Sequence, residues 1–335
     1  MTAPDPVSGA YLRAWSRHTH RSPLYQHLIE VTLDSPALMD VIGRISKRPP
    51  PNVYLAAIHY LLMDGRSPGL ARYYRSLVSD PLPVSEVDEA FTQFVIENQD
   101  DIVELANRRY TQTNECRRCV ALLPGVMTSP FESFHLVEIG TSAGINLALD
   151  SFTYDFDGTA WGPDSPVNLN AEVRGDAPQL RPMEIGRRVG IDLHLIDRTD
   201  PSDRQWLEAL IWPEHEQRRE RLRRALELTS DMEFELVEGS VLDELAAVLD
   251  GLPPGEPAVV MNSFVLIQLD PDQREEVEDI VEEARQKRPI YRVSFEFIDK
   301  DDDWARLRVG SGRGLVDLGR AHPHGEWVDL DYSVL

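Results

Sequence analysis

Residues 135–150 read HLVEIGTSAGINLALD. An apolar run carries one acid, Glu138, and leads into Gly140, Ser142 and Gly144 before a second apolar run with helical periodicity. This order predicts a strand, a tight glycine turn and a helix start. Glycine has no Cβ, so such a turn lets backbone N–H groups come close to a ligand. A carboxylate at the strand end can accept from a ligand's ammonium group. The same five positions set Ser142 between two glycines, an arrangement that presents a nucleophilic hydroxyl on a sharp strand-to-helix turn. Two chemistries therefore compete for one loop: binding through the backbone, and covalent catalysis through Ser142.

Either chemistry needs a sheet edge to hold the loop. Residues 10–130 read as helices, with apolar i, i+3, i+4 spacing over Ala10–Arg17, Pro23–Leu33, Val53–Met63, Gly69–Val78 and Val87–Arg109, and Pro49-Pro50-Pro51 as a stiff connector. From residue 134 the texture changes. Strands are expected over Phe134–Ile139, Val167–Val173, Asp192–Ile196, Glu233–Glu238, Ala258–Met261 and Ile290–Phe297. Helices are expected between them over Ala143–Leu149, Ser202–Leu228 with a break at Pro213, Val241–Leu249 and Asp272–Lys287, with starts at Asp200-Pro201 and Asp270-Pro271. Leu307–Leu318 and Glu326–Tyr332 suggest a terminal hairpin. The expected plan is an α/β protein: an all-helical N-terminal lobe over residues 1–130, then a doubly wound, mostly parallel Rossmann-like sheet over residues 131–335.

Composition narrows the function classes. The chain has 335 residues, 57 acidic against 34 basic, and a formal net charge of −23. Three of the basic residues, Lys47, Lys287 and Lys300, are lysines; the rest are arginines. An acidic surplus with scarce lysine suits a salt-rich cytoplasm, because hydrated carboxylates keep a surface soluble and fewer lysine stems expose less hydrocarbon. The ordinary alternative is an acidic, arginine-rich protein of a GC-rich genome. The charge argues against general nucleic-acid binding, which needs a basic surface. Two cysteines exclude a disulfide scaffold. The N-terminal MTAPDPVSGAYL lacks a signal pattern, and the longest apolar runs, Val53–Met63 and Val259–Leu269, are about half a membrane span. A soluble, cytoplasmic protein without membrane association is expected.

The acid-then-glycine order resembles the first motif of the class I S-adenosylmethionine-dependent methyltransferases. That resemblance implies S-adenosylmethionine as cofactor, with Gly140, Ser142 and Gly144 passing its methionine and ribose part and Glu138 accepting from its ammonium. It implies an acid for the ribose hydroxyls at the end of the second strand. Asp197, in IDLHLID, suits that role, with Asp192 in reserve, and Glu172 if Val167–Val173 is the second strand. Ser240 and Asp243 would lie beside the adenine. Asn262 ends an apolar strand whose edge faces the ligand crevice in such sheets. His59, Glu115 and Asn262 are candidates for positioning the acceptor or removing its proton. Methyl displacement needs chiefly alignment, so few catalytic side chains are required. The G-x-S-x-G spelling also resembles the nucleophile elbow of α/β-hydrolases, with His322 or His324 late enough to complete a Ser–Asp–His order. Chain order weighs against it, since Ser142 follows the first strand and no glycine-rich oxyanion segment precedes it.

Over most of its length the chain also resembles a prokaryotic family known as domain of unknown function 2332. The matching pieces are Ala57–Leu62, Thr111–Glu115 with Arg118, Glu138–Leu147, Trp161-Gly162 through Val167, Gly190-Ile191-Asp192 to Asp197, and Ala209–Glu214. The resemblance implies a methyltransferase-like fold and no particular reaction. The family pattern often has a histidine before the serine matching Ser263, where this chain has Asn262.

Other signals have ordinary readings beside functional ones. Thr111–Glu115 could close over the cofactor with Asn114 and Glu115 pointing inward, or simply cap a helix. Cys116 and Cys119 form a lone C-x-x-C, too few ligands for zinc, and read as buried or incidental thiols. The pairs His18/His20 and His322/His324 read as surface loops, and Asp301–Asp303 as a solvated loop. Arg218, Arg219, Arg221, Arg223 and Arg224 read as an exposed face pairing Glu214 with Arg218 and Glu220 with Arg224. No metal site is expected. The function expected is methyl transfer from S-adenosylmethionine to an unknown acceptor, under a helical lobe that caps the cleft. A serine hydrolase and a non-catalytic nucleotide-binding or interaction protein are the alternatives.

Overall fold

The computed structural model describes residues 12–13, 22–47, 50–298 and 303–335. His18, His20, Pro49, Lys300, Asp301, Asp302 and all of the expected helix Ala10–Arg17 except Leu12 and Arg13 lie outside the described residues. The chain forms two compact units, and neither is one stretch. One holds residues through Thr113 together with Thr199–Glu220; the other holds Asn114–Arg198 and Arg221–Leu335. The single cut expected at residue 130 falls inside the second unit. The all-apolar helix Cys119–Met127 goes with the sheet, where a Cβ on Gly125 would meet Val293 at 2.8 Å.

The first unit is helical, with helices Pro23–Asp34, Pro36–Gly43, Pro50–Met63, Pro68–Ala71, Asp88–Glu97, Gln99–Arg108 and Pro201–Ala209. Four of these starts repeat one device: Ser22, Ser35, Ser67 and Asp200 each accept from a first-turn N–H, and each precedes a proline. The side chain satisfies an orphan donor, and proline has no N–H to leave unsatisfied there. For the latter reason Pro50 and Pro51 open a helix instead of forming the expected connector. The expected helix Val87–Arg109 is two helices, because the Asn98 side chain donates to the Phe94 carbonyl and closes the first. The expected Gly69–Val78 helix ends at Ala71. The core gathers Leu28, Tyr54, Ile58, Phe91, Ile102 and Trp206.

The second unit is built on eleven strands: β1 (Ser133–Ile139), β2 (Thr153–Phe156), β3 (Thr159–Trp161), β4 (Asn168–Val173), β5 (Glu184–Asp192), β6 (Glu235–Glu238), β7 (Ala258–Ser263), β8 (Ile290–Glu296), β9 (Ala305–Gly310), β10 (Val316–Ala321) and β11 (Trp327–Leu330). Their order is β3-β2-β4-β11-β10-β9-β8-β7-β1-β5-β6. The run β8-β7-β1-β5-β6 is parallel throughout. Strands β8 to β11 form an antiparallel meander in place of the expected single hairpin, and β4 joins β11 and β2 in parallel. The expected fold class holds: α/β, with an N-terminal helical region and a large mixed, mostly parallel sheet. Val137, Ile139, Val189, Ile191 and Val260 face helices Val241–Gly251 and Pro271–Arg285.

Two corrections bear on the site. The segment after the glycine turn is a kinked 3-10 stretch, Ile145–Ser151, not the α-helix Ala143–Leu149. The strand beside β1 ends at Asp192, where the sequence suggested that a strand begins.

Candidate functional site at the end of the central parallel strand

β1 lies between β5 and β7, so the order reverses direction at its end. The register aligns Ile139 with Ile191 on one side and with Asn262 on the other, which brings three strand ends level. Ligands of open α/β sheets bind at such a switch point, outside the carboxyl ends of the strands. The Gly140–Gly144 turn opens there. Ser142 after β1 and Phe264 after β7 both have left-handed backbones, at φ 51° and 56°. Among the described residues the other non-glycine of this kind is Asp157, in the β2–β3 turn. Strained backbone of this sort concentrates at functional sites.

Glu138 is an internal strut of the turn. Its carboxylate is 1% exposed and accepts from the Thr141 hydroxyl at 2.7 Å and the Asn146 amide at 2.8 Å. Burial pushes its pKa up to about 7; these two hydrogen bonds and the charge of Arg118 oppose the rise, and Asp192 adds to it. Gly140 is required by packing as well as by conformation. Its φ is +75°, and a Cβ there would stand 2.6 Å from the Val265 Cβ.

The ends of β1 and β5 are joined through Asp192. Its carboxylate accepts from the Ser142 N–H at 2.8 Å and from the His194 N–H at 3.0 Å, while burial raises its pKa. It remains partly exposed, and the next residue, Leu193, is 59% exposed. Asn114 holds the turn from another side. Its amide donates to the Ser142 hydroxyl at 2.8 Å, and its side-chain oxygen accepts from Ala143 N–H at 3.3 Å. Asn114 therefore braces the turn, while its neighbour Glu115 caps the 3-10 turn Cys116–Arg118. An amide is no proton acceptor for a serine nucleophile.

The remaining expected residues fall elsewhere. Asp197 is exposed, five residues past the end of β5. Glu172 is exposed on β4, paired with Arg174, and β4 is not a neighbour of β1. Ser240 caps helix Val241–Gly251, accepting from Leu242 N–H at 3.3 Å, and Asp243 is exposed in its first turn. Asn262 lies level with the turn but is fully buried. Its oxygen accepts from Arg292, and its amide donates to Ser294 and Glu296. Glu296 in turn accepts from the N–H groups of Val265, Leu266 and Ile267, fixing the loop after β7. Glu115 is buried and caps the 3-10 turn Cys116–Arg118.

His59 belongs to the helical unit. It is wholly buried, with Nε2 2.7 Å from Ser76 Oγ and Nδ1 3.2 Å from the Ala209 carbonyl. Burial lowers its pKa to about 3, so it is a neutral core histidine. Both cysteines are buried and neither is in a disulfide, and the Cys119 thiol donates to Asn146 at 3.4 Å. His322 approaches Glu326 at 3.8 Å. The arginine segment is not a plain exposed face: Arg219 is buried, and Glu214 accepts from Ser22 and Leu24. Among the described residues no group of three potential metal ligands occurs, and no helix is long and apolar enough to cross a membrane.

The sequence reading missed Thr141 and Asn146 as partners of Glu138. Their positions three and eight residues on, across a glycine turn, were the available signal. It ranked Asp197 above Asp192 because the polar stretch Glu184–Arg188 hid the start of β5.

The family model described as uncharacterized protein conserved in bacteria (DUF2332) matches residues 10–330. No curated protein matches the chain.

Proposed function

The chain belongs to the DUF2332 family of uncharacterized proteins conserved in bacteria, and we propose that it binds S-adenosylmethionine at the end of β1 and transfers its methyl group to an acceptor. One observation carries this reading: Asp192 ends β5 beside the glycine turn that ends β1, within the parallel order β6-β5-β1-β7-β8.

The residues present suit the adenosine half of that cofactor. Asp192 offers a partly exposed carboxylate to ribose hydroxyls, and Leu193 offers an apolar surface to a planar base. Asp192 takes the role first given to Asp197. The amino-acid half is suited differently from expectation. Glu138 is buried with both oxygens engaged inside the turn, whereas Asp192, which also accepts one backbone N–H on each oxygen, stays partly exposed, so Glu138 shapes the loop and is not assigned the ammonium. When bound, the cofactor supplies an electrophilic methyl group on a sulfonium. The chain's own part is to fix the turn through Glu138, Asp192 and Asn114, and to align an acceptor beside it.

Calorimetry in high salt against S-adenosylmethionine, S-adenosylhomocysteine, NAD and FAD tests this. Wild type should bind an adenosyl compound, and Asp192→Asn should weaken that binding by about 1.5–3 kcal/mol, while Asp197→Asn leaves it unchanged. No wild-type binding to either adenosyl compound defeats the proposal.

A second reading draws on Ser142, whose left-handed backbone between two glycines suits a nucleophile elbow. Labelling by a fluorophosphonate, lost in Ser142→Ala, would put a serine hydrolase in front. The Asn114 amide as the partner of the Ser142 hydroxyl weighs against it.

A further inference from the structure

We infer that Arg117 and Arg221 form a binding site for an oxyanion, a phosphate or carboxylate group carried by a small ligand. Both residues belong to the sheet unit. Arg117 lies on the 3-10 turn Cys116–Arg118, and Arg221 on helix Glu216–Thr229. Glu115 links them: its Oε1 accepts the Arg117 backbone N–H at 3.2 Å and lies 3.8 Å from Arg221 Nε.

Arg117 is held firmly. Its Nε donates to the Asn170 carbonyl at 3.0 Å. The turn between β10 and β11 closes on it at Gly325, where φ is +69° and a Cβ would stand 2.1 Å from the Arg117 carbonyl oxygen and 2.9 Å from its Cγ. A side chain at residue 325 would collide with Arg117, so the glycine preserves its place. Arg221 is held but unsatisfied. Its side chain is 16% exposed, and its buried Nε has no hydrogen-bond partner.

The charge balance is the unusual part. Many arginines elsewhere sit close to carboxylates, as Arg188 does to Asp150 at 2.7 Å, Arg320 to Asp329 at 2.9 Å and Arg292 to Glu278 at 3.0 Å, or give several hydrogen bonds to backbone carbonyls, as Arg181 and Arg288 do. With 57 acidic residues against 34 basic, carboxylates are not scarce. Yet among the described residues Arg221 has one carboxylate within ion-pair range, at the long distance of 3.8 Å, and Arg117 has none. Both residues also gather around one carboxylate oxygen, Glu115 Oε1. After burial, the charge of Arg221 is the next cause holding the Arg117 pKa below its ordinary value, against Glu115, exposed Glu326 and Cys116. An oxyanion accepting from both would relieve the repulsion, and arginine's planar fork matches its geometry. Asn114, three residues before Arg117, holds Ser142, so the same short segment serves the glycine turn and this site. The inference stands whether or not the turn takes an adenosyl cofactor.

Calorimetry with inorganic phosphate and, separately, succinate at fixed potassium chloride distinguishes the two anion sources. Wild type should bind at least one, and Arg221→Gln should weaken that binding by about tenfold or more. A second measurement needs no variant. The bound anion should slow phenylglyoxal modification of Arg117 and Arg221 in the wild-type chain, read by mass spectrometry. The inference is overturned if wild type binds neither anion, if Arg221→Gln binds as tightly as wild type, or if both arginines react at the same rate with and without the anion.

Discussion

The Thr141 hydroxyl lies 2.7 Å from the Glu138 carboxylate, and the methyl group of the same threonine fills the space beside Gly190, where a Cβ would stand 2.4 Å away. One side chain thus closes the turn over the acid and locks it to β5. The acid is part of the scaffold, and its ionisation strains the fold.

The pH dependence of stability should show this. The folded pKa of Glu138, about 7, stands above its ordinary 4.5. A raised pKa means a contribution to stability fully present below the unfolded value and lost as pH rises through the folded one. Relative to Glu138→Gln, wild type should lose on the order of 3 kcal/mol between pH 4.5 and just above pH 7. Urea denaturation of both proteins across that range, at constant salt, measures the difference. Parallel curves would contradict the buried acid.

His59 should give the opposite slope. Its pKa is lowered from 6.5 to about 3, so its contribution is present above pH 6.5 and lost as pH falls toward 3. At neutral pH, His59→Gln should cost about 1–3 kcal/mol through the disturbed bonds to Ser76 and Ala209. That deficit should shrink in acid. Thermal melts at neutral and acidic pH compare the two, and a deficit that grows in acid would be wrong for a neutral core histidine.

Gly140→Ala should destabilise for two separable reasons. The left-handed backbone costs a non-glycine residue about 1–2 kcal/mol, and the new Cβ meets Val265 Cβ at 2.6 Å and Cγ2 at 2.7 Å. Val265→Ala removes the second contact and leaves the first. The double variant should therefore recover part of the loss, and full recovery in a denaturation cycle would contradict the geometry. Gly140→Val is consequently a poor probe of ligand binding, since it disrupts the fold first.

The charge of −23 with three lysines carries a salt expectation. Screening relieves carboxylate repulsion, so the melting temperature should rise in molar potassium chloride. Equal melting temperatures in dilute and concentrated salt would remove the halophilic reading.

The strands β1, β7 and β8 are buried on both faces almost throughout; β1 and β7 were legible from short apolar runs, and β8 from apolar residues alternating with Arg292, Ser294 and Glu296. β5 was misplaced because its first half, Glu184–Arg188, carries three charges and no such run. β2 and β3 were missed although YDFDGTAW contained their signal: Asp157-Gly158, both with positive φ, is the two-residue hairpin turn between paired Phe156 and Thr159. The helix Cys119–Met127 falls in the stretch expected to be helical but was given no bounds, because every residue in it is buried and no amphipathic period exists. Glu138, Gly140 and Gly144 could be located by spacing alone. That Glu138 is spent inside its own turn could not, since its burial depends on partners folded around it.

The pairing of β4 with β11 sets a schedule on the making of this protein. Glu172 and Val173 lie opposite Trp327 and Val328, so the excursion β2-β3-β4 finds its place in the sheet only through a strand near the end of the chain. During synthesis those three strands wait, unpaired on that side, while well over a hundred residues are added. Contacts this distant in sequence close slowly, and an edge left waiting is open to mispairing in the nascent chain.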